Sequence, residues 1–288
     1  MEKKDINRQR LPHWMKMKSR LPRDGKYTEV RRIVDQNKLH TICTSGNCPN
    51  IGECWAAGTA TLMILGEICT RSCKFCGVKT GKPLPVDCEE PGRVARSVQK
   101  MGISHVVITS VDRDDLDDKG SGLWAKTILE VKRLNPGVTM ETLIPDFDGI
   151  PEWIDRIVKA GPEVISHNLE TVRRLSREVR SRARYEVSLE VIRHISEAGV
   201  ISKSGIMLGL GETREEVIET MDDLLEVGCR VFTLGQYLQP GRNHMPVKEF
   251  VTPGQFEEYR KIGLDKGFRH VESHPLVRSS YHAEKHIN

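Results

Sequence analysis

The sequence predicts an α/β protein, a partial (βα)6 barrel of the TIM type with N-terminal and C-terminal extensions. Three observations lead there. Short apolar, β-branched segments alternate with helical stripes, the connections between them are short, and about six units are present where eight would close a full barrel. The strand candidates are Ala60–Glu67, Ser104–Ser110, Val138–Leu143, Glu163–Asn168, Val200–Leu208 and Arg230–Gly235, each bounded by polar residues or Gly. Between them, apolar stripes at helical spacing occur at Trp124, Ile128 and Val131, at Ile154, Ile157 and Val158, at Val187, Val191 and Ile195, and at Val217, Met221, Leu224 and Leu225. Punctuation agrees. Pro151 suits a first helical position, Thr213-Arg-Glu-Glu216 and Thr252-Pro-Gly-Gln255 read as capping boxes, and Asn135-Pro136-Gly137 stops a helix. A site is expected at the C-terminal ends of the strands.

The chain has 288 residues, 38% hydrophobic and 29% charged, enough for one large core, and it shows no internal repeat, low-complexity tract or long linker. Its net charge of +4 is uneven: residues 1–40 carry 12 Lys/Arg against 5 Asp/Glu, which is +7 and leaves −3 for the rest. Such an arm either binds an acidic partner or wraps the domain as a solvated segment. With only Trp14 and Tyr27 interleaved, it lacks the aromatics that stack on bases, and no nucleic-acid partner is expected. No run approaches the roughly 18 apolar residues that span a bilayer, so no membrane association is expected. The charged start, Met1-Glu-Lys-Lys-Asp-Ile-Asn-Arg-Gln-Arg10, has no apolar export segment, which places the chain in the reducing cytoplasm.

Six of the eight cysteines form two triplets: Cys43, Cys48 and Cys54 (C-x4-C-x5-C), and Cys69, Cys73 and Cys76 (C-x3-C-x2-C). The second follows the apolar run Thr61-Leu-Met-Ile-Leu65, so three thiols share one loop at a strand end. Structural zinc takes four N/S ligands, usually in paired knuckles, and neither triplet has that form. Three thiolates bind three irons of a four-iron cluster and leave the last iron open to a substrate or cofactor. Cys88 and Cys229 lie in no comparable loop and read as ordinary small core or partly buried residues.

Three strand ends carry further candidates. Thr109-Ser110-Val111-Asp112-Arg113-Asp114-Asp115-Leu116 follows the second strand; alone, the acidic run equally describes a solvated loop. Ser166-His167-Asn168-Leu169-Glu170-Thr171 follows the fourth, where Asn168 and Glu170 could hydrogen-bond ribose hydroxyls or cap a helix. Gly205-Ile-Met-Leu-Gly209-Leu-Gly211-Glu212 ends the fifth, a glycine-rich turn that admits a ligand close to the backbone but is not G-x-G-x-x-G.

With Phe75 before its last Cys and Gly77 after it, C-x3-C-x2-C resembles the signature of radical S-adenosylmethionine enzymes. In these, the open iron chelates the cofactor's amino and carboxylate groups, and an electron splits its sulfonium to give a 5′-deoxyadenosyl radical. The upstream C-x4-C-x5-C and a terminal Arg278-Ser279-Ser280-Tyr281-His282-Ala283 narrow the resemblance to the lipoyl synthase family, over about Asn37 to Ala283. Biotin synthase and methylthiotransferases are not expected to pair these motifs. A zinc-stabilised nucleic-acid-binding protein is the rival from another class.

The resemblance implies the following. Two 4Fe-4S clusters are bound, one by Cys69, Cys73 and Cys76, the other, auxiliary, by Cys43, Cys48, Cys54 and Ser280, with Ser279 the alternative. S-adenosylmethionine is bound by residues among Thr109, Ser110, Asp112, Asn168, Glu170, Gly205, Gly209, Gly211 and Glu212. The reaction inserts two sulfur atoms from the auxiliary cluster at C6 and C8 of an octanoyl chain on a carrier-protein lysine. Those carbons are unactivated, so acid-base and nucleophilic catalysis cannot reach them, whereas a carbon radical can. Implied partners are an octanoylated lipoyl carrier domain or glycine-cleavage H protein, flavodoxin or ferredoxin as electron donor, and an iron-sulfur carrier for cluster regeneration. The division is 1–58 for the auxiliary-motif extension, 59–270 for the barrel and 271–288 for the serine-bearing segment. One stretch departs from the family pattern: Arg180-Ser-Arg-Ala-Arg-Tyr185 stands where a Gly- or Pro-containing stretch is expected, which leaves the roles of Arg180 and Arg182 open.

Overall fold

In a computed structural model, which describes residues 11–15, 25–57 and 60–287, all six expected strands form. They are β1 (Thr61–Ile64), β2 (His105–Ser110), β3 (Thr139–Leu143), β4 (Val164–Ser166), β5 (Ile201–Leu208) and β6 (Val231–Gln236). They pair in parallel in chain order. Their near-continuous apolar character follows from that pairing, because helices cover one face and the barrel interior the other. A seventh strand, β7 (His270–Ser273), pairs in parallel with β6. Its alternation of half-buried and buried residues, with His270 and Glu272 in it, hides it from an apolar-run search. His40–Thr41 adds an antiparallel edge on β1, and the order runs from that edge to β7 without closing, so the barrel is partial. Because β7 extends to Ser273, the barrel continues past the expected boundary at 270.

Six helices of ten or more residues follow strands β1 to β6 and pack outside: α1 (Glu90–Met101), α2 (Ser121–Leu134), α3 (Pro151–Ala160), α4 (Tyr185–Glu197), α5 (Arg214–Glu226) and α6 (Pro253–Lys266), with the shorter Arg173–Val179 before α4. The expected stripes face inward, with Trp124, Ile128, Val131, Ile154, Ile157, Val191, Ile195, Val217, Met221 and Leu224 buried, while Val158, Val187 and Leu225 are half-buried. Both expected capping boxes form, at Thr213/Glu216 and Thr252/Gln255, satisfying backbone donors that otherwise have no partner at a helix start. Pro151 takes the first helical position of α3.

Of the basic arm, residues 1–10 and 16–24 lie outside the described residues. The helix Gly25–Gln36 buries Val30, Ile33 and Val34, and Tyr27 packs its ring 5.4 Å from that of Trp55. This part of the arm wraps the domain, anchored by apolar contacts rather than solvated.

Candidate active site

Strand β1 delivers the second cysteine triplet through a sharp turn. Leu65 and Gly66 both take left-handed backbone (φ 69° and 92°), and the Leu65 N–H donates to the buried Glu90 carboxylate at 2.8 Å. A non-glycine residue in that region is strained and persists only where its surroundings fix it. Beyond the turn, Ile68–Cys69 pairs with Lys79–Thr80 and closes the cysteine loop. Two backbone N–H groups, from Asp112 at 3.3 Å and Arg71 at 3.4 Å, point at the Cys69 sulfur. Burial pushes the Cys69 thiol up to about 12, with the Asp112 charge adding to it, and burial pushes Cys76 up to about 11. Such thiols stay protonated at neutral pH unless a metal cation takes the proton's place.

Arg71, inside this triplet, is the loop's internal anchor. It is 6% exposed and meets Asp146 at 2.8 Å, Asp114 at 2.9 Å, Asp112 at 3.4 Å and Asp148 at 3.5 Å. Burial opposes ionisation of Asp146, but the Arg71 hydrogen bonds and charge prevail and hold its carboxyl at about 2. Asp112 is pushed up to about 6, chiefly by burial and then by Asp146 and Asp114 working against Arg71. Asp112 and Asp114 of the acidic run after β2 are therefore folded against the loop, while Asp115 stays exposed beside Arg113.

The first triplet lies on two short helices. Cys43 is in Ile42–Ser45, N-capped by Thr41, Cys54 is in Ile51–Ala56, and Cys48 is between them. Burial raises the pKa of Cys48, with Cys43 adding to it; burial pushes Cys54 up to about 12, with Cys48 and Cys43 adding, so the three sulfurs feel one another. The terminal segment closes over them. Asn50 Nδ2 donates to the Leu276 carbonyl at 2.8 Å, and the Tyr281 hydroxyl to Glu53 at 3.2 Å. Thr61 Oγ1 donates to Ser280 Oγ at 2.7 Å, and Asn168 Nδ2 to Ser279 Oγ at 2.7 Å.

Both triplets open on one cavity of about 450 Å³, bordered by Cys43, Cys48, Cys69, Cys73 and Cys76 and by Ser279 and Ser280, with Cys54 set behind it. Apolar residues, among them Val107, Leu143, Ile144, Ile206 and Met207, line the wall. Thr109, Ser110, Asp112, Asn168, Glu170 and Gly205 border it, and Gly209, Gly211 and Glu212 do not. Glu212 instead accepts from its own loop, from the N–H of Gly209 at 2.5 Å and of Leu210 at 2.9 Å. At Gly205 a Cβ would collide with the Thr233 hydroxyl, so this position admits no side chain. Glu170 has left-handed backbone (φ 67°) and a pKa raised by burial against the pull of Arg180. Arg180 is buried on the cavity wall, whereas Arg182 is exposed and pairs with Asp148 at 3.1 Å.

Several residues that border the cavity were not singled out in the sequence: Arg71, Asp146, Arg180 as a wall residue, Gln236 at the end of β6 and Tyr237 to Pro240 after it; nor was the buried ion pair of Glu141 and Lys203 inside the barrel. A signal existed for some. Pro145-Asp146-Phe147-Asp148 follows β3 directly, where barrel sites sit, and Glu141 and Lys203 are charges inside buried strands. Cys229 is buried, as expected, but Cys88 is exposed, because it stands in the loop before α1 and not in the core.

The cavity fits the groups that the motifs imply. No cysteine is in a disulfide, and backbone donors aim at the sulfurs of Cys69, Cys76 and Cys48, as iron-sulfur ligands require. Arg278 is a half-buried guanidinium with no carboxylate partner among the described residues, and Cys48 is the anion it faces once that thiol is ionised. Asn168 Oδ1 is buried without a hydrogen-bond partner, an acceptor open to a ligand.

The model of the Radical SAM superfamily matches residues 63–224. Lipoyl synthase of Flavobacterium psychrophilum is 64% identical over 277 residues, covering 96% of this chain and 95% of its own. The mitochondrial lipoyl synthase of Nematostella vectensis is 60% identical over 282 residues, covering 98% and 96%. The chain belongs to the lipoyl synthase family. Among solved structures, methylornithine synthase matches with a TM-score of 0.55 at 14% identity, over 86% of this chain and 76% of its own. Streptococcus suis SuiB bound to the precursor peptide SuiA matches with a TM-score of 0.58 at 13% identity, over 73% and 48%. At such identities these two speak for the barrel alone. As a family member, the chain is a radical S-adenosylmethionine sulfurtransferase that works with 4Fe-4S clusters and inserts two sulfur atoms, supplied by its auxiliary cluster, at C6 and C8 of a protein-bound octanoyl chain. It therefore needs an octanoylated carrier and a reductant.

Proposed function

We propose that Cys69, Cys73 and Cys76 hold the radical-generating cluster, and that Cys43, Cys48, Cys54 and Ser280 hold the auxiliary one. The observation that carries this is the single cavity on which both triplets open, apolar between them. When bound, the clusters and S-adenosylmethionine supply a hydrogen-abstracting radical at one end and sulfide at the other. The chain's own residues do the rest. Val107, Leu143, Ile144, Ile206 and Met207 line the path of an octanoyl chain and keep water from it. Asn168 and Glu170 would hold the cofactor's ribose and Thr109, Ser110 and Asp112 its amino group, all of them on the cavity's border, and Gly205 leaves room there because it has no side chain. The buried Arg180 is the cavity's cation for a carboxylate. Gly209, Gly211 and Glu212 shape the loop without touching the ligand. Ser280 is taken over Ser279 because the family motif assigns it; both hydroxyls accept a hydrogen bond, Ser280 from Thr61 and Ser279 from Asn168.

The carrier is a lipoyl domain or a glycine-cleavage H protein, flavodoxin or ferredoxin gives the electrons, and an iron-sulfur carrier rebuilds the consumed cluster. No helix among the described residues is long and apolar enough to cross a membrane. The free cysteines suit a reducing cytoplasm. The test is to reconstitute the protein anaerobically, count metal, and incubate it with reductant, S-adenosylmethionine and an octanoyl-lysine peptide. About eight irons per chain and a peptide heavier by two sulfurs are expected; a colourless zinc protein, or no mass gain, refutes the reading.

A further inference from the structure

The terminal segment reaches the barrel at β2 and at the start of β7, where the His286 ring lies 4.9 Å from that of His270, and is held by a charged group that the reaction itself does not call for. Lys203 on β5 and Glu141 on β3 are both fully buried. The ammonium donates to the two carboxylate oxygens of Glu141 at 2.7 and 2.9 Å, and to the Ser279 carbonyl at 2.5 Å. His286 Nδ1 lies 3.1 Å from the ammonium and 3.5 Å from Glu141 Oε2, while Ser166 Oγ donates to Glu141 Oε1 at 2.9 Å. The Ser279 peptide is thus gripped from inside the barrel, one residue before Ser280.

Stability alone does not account for this ion pair. Two charges taken out of water lose most of the gain from their attraction, and well-packed apolar residues of the same volume do as well or better. What apolar residues cannot do is give direction. An ammonium has three donors; here they are met by the Glu141 carboxylate, by His286 Nδ1 and by one carbonyl of a segment 76 residues further along the chain. Once Lys203 fixes the Ser279 carbonyl, and Asn168 and Thr61 fix the two serine hydroxyls, little rotational freedom remains to Ser280.

We propose that the Lys203–Glu141 pair, closed by His286, is a positioning clamp that anchors the Ser279 peptide and thereby presents Ser280 to the N-terminal cysteine triplet. This rests on Ser280 as the fourth ligand of the auxiliary cluster. Lys203 and Glu141 are positioning residues, and neither takes part in radical formation.

The test uses the full chain carrying Lys203→Met with Glu141→Leu, which removes both charges together and keeps the volume. Amide hydrogen exchange of residues 277–287 is measured before cluster reconstitution, and deoxyadenosine release and sulfur insertion are measured after it. Exchange of the segment should accelerate by about tenfold or more while the amides of β1 to β6 stay protected. Cofactor cleavage should stay within about twofold and sulfur insertion should fall by at least about tenfold. Unchanged protection of 277–287 in the double variant overturns the clamp. Ser280→Ala separates the two readings: if it inserts sulfur normally, the serine assignment fails, and the exchange result alone still decides whether Lys203 anchors the segment. Should the double variant not fold, Lys203→Met with Glu141→Gln, which removes the ammonium and keeps an acceptor for Ser166, is measured in the same way, with the same loss of protection expected and its absence counting against the clamp.

Discussion

The two cysteine triplets are built in opposite ways. Cys69, Cys73 and Cys76 belong to one loop at the end of β1, and everything that fixes the loop comes from the barrel: Glu90 on the turn, the Asp112 and Arg71 N–H groups on Cys69, and four aspartates around Arg71. Cys43, Cys48 and Cys54 sit on two short helices beside the barrel, and their site is completed by Leu276 to Tyr281, more than 200 residues away in sequence. On the proposed assignment, the centre that is used repeatedly is held by the barrel's own loops, while the one that gives up its sulfur is completed by two distant stretches of chain.

The sharpest break of that comparison is a pair of cysteine variants. Cys73→Ala is expected to lower reductive cleavage of S-adenosylmethionine by about 1,000-fold or more, read as deoxyadenosine. Cys48→Ala should leave cleavage within a few-fold and remove sulfur insertion. Lipoyl product from Cys48→Ala would show that the two triplets do not divide the labour.

Next comes Arg71→Leu. It leaves Asp112 and Asp146 without a cation, while Asp114 and Asp148 keep Arg182, and should cost about 3–5 kcal/mol, measured by denaturant unfolding of the cluster-free protein. On reconstitution it should lose the barrel-held iron and keep the other, so that about four irons remain. Loss of all the iron would mean that the two centres are not independently built.

A smaller effect is expected with pH. The folded-state pKa of Asp146 is depressed from 3.8 to about 2, so its contribution is fully present above pH 4 and is lost as pH falls through 2. The depression corresponds to about 2 kcal/mol. Asp146→Asn should therefore flatten the acid limb of the stability curve, measured by urea unfolding between pH 2 and pH 5; an unchanged limb would remove Asp146 from the anchor. The smallest effect belongs to Cys88→Ser. Because Cys88 is exposed and outside both sites, stability should change by less than about 0.5 kcal/mol and iron content not at all.

Much of this was legible in the sequence, for physical reasons. Strands β1 to β6 show as apolar runs because they are covered on both sides, and the thiols of each cluster motif sit close together in the chain because short loops hold them. β7 was hidden because His270 and Glu272 interrupt its apolar run. Arg71 and Asp146 join only when β1 and β3 lie two strands apart in the sheet, so nothing local announces the pair. Lys203 showed only as an odd charge in a buried strand, because its meaning depends on a carbonyl that the fold brings in from the far end. The glycine-rich turn misled in part: Gly205 borders the cavity, while Gly209, Gly211 and Glu212 serve the loop's own backbone.

The burial of His286 beside Glu141 and Lys203 has a consequence for biogenesis. A ribosome releases this stretch after every strand of the barrel, so the newly made protein passes through a stage in which its interior is finished but unstoppered.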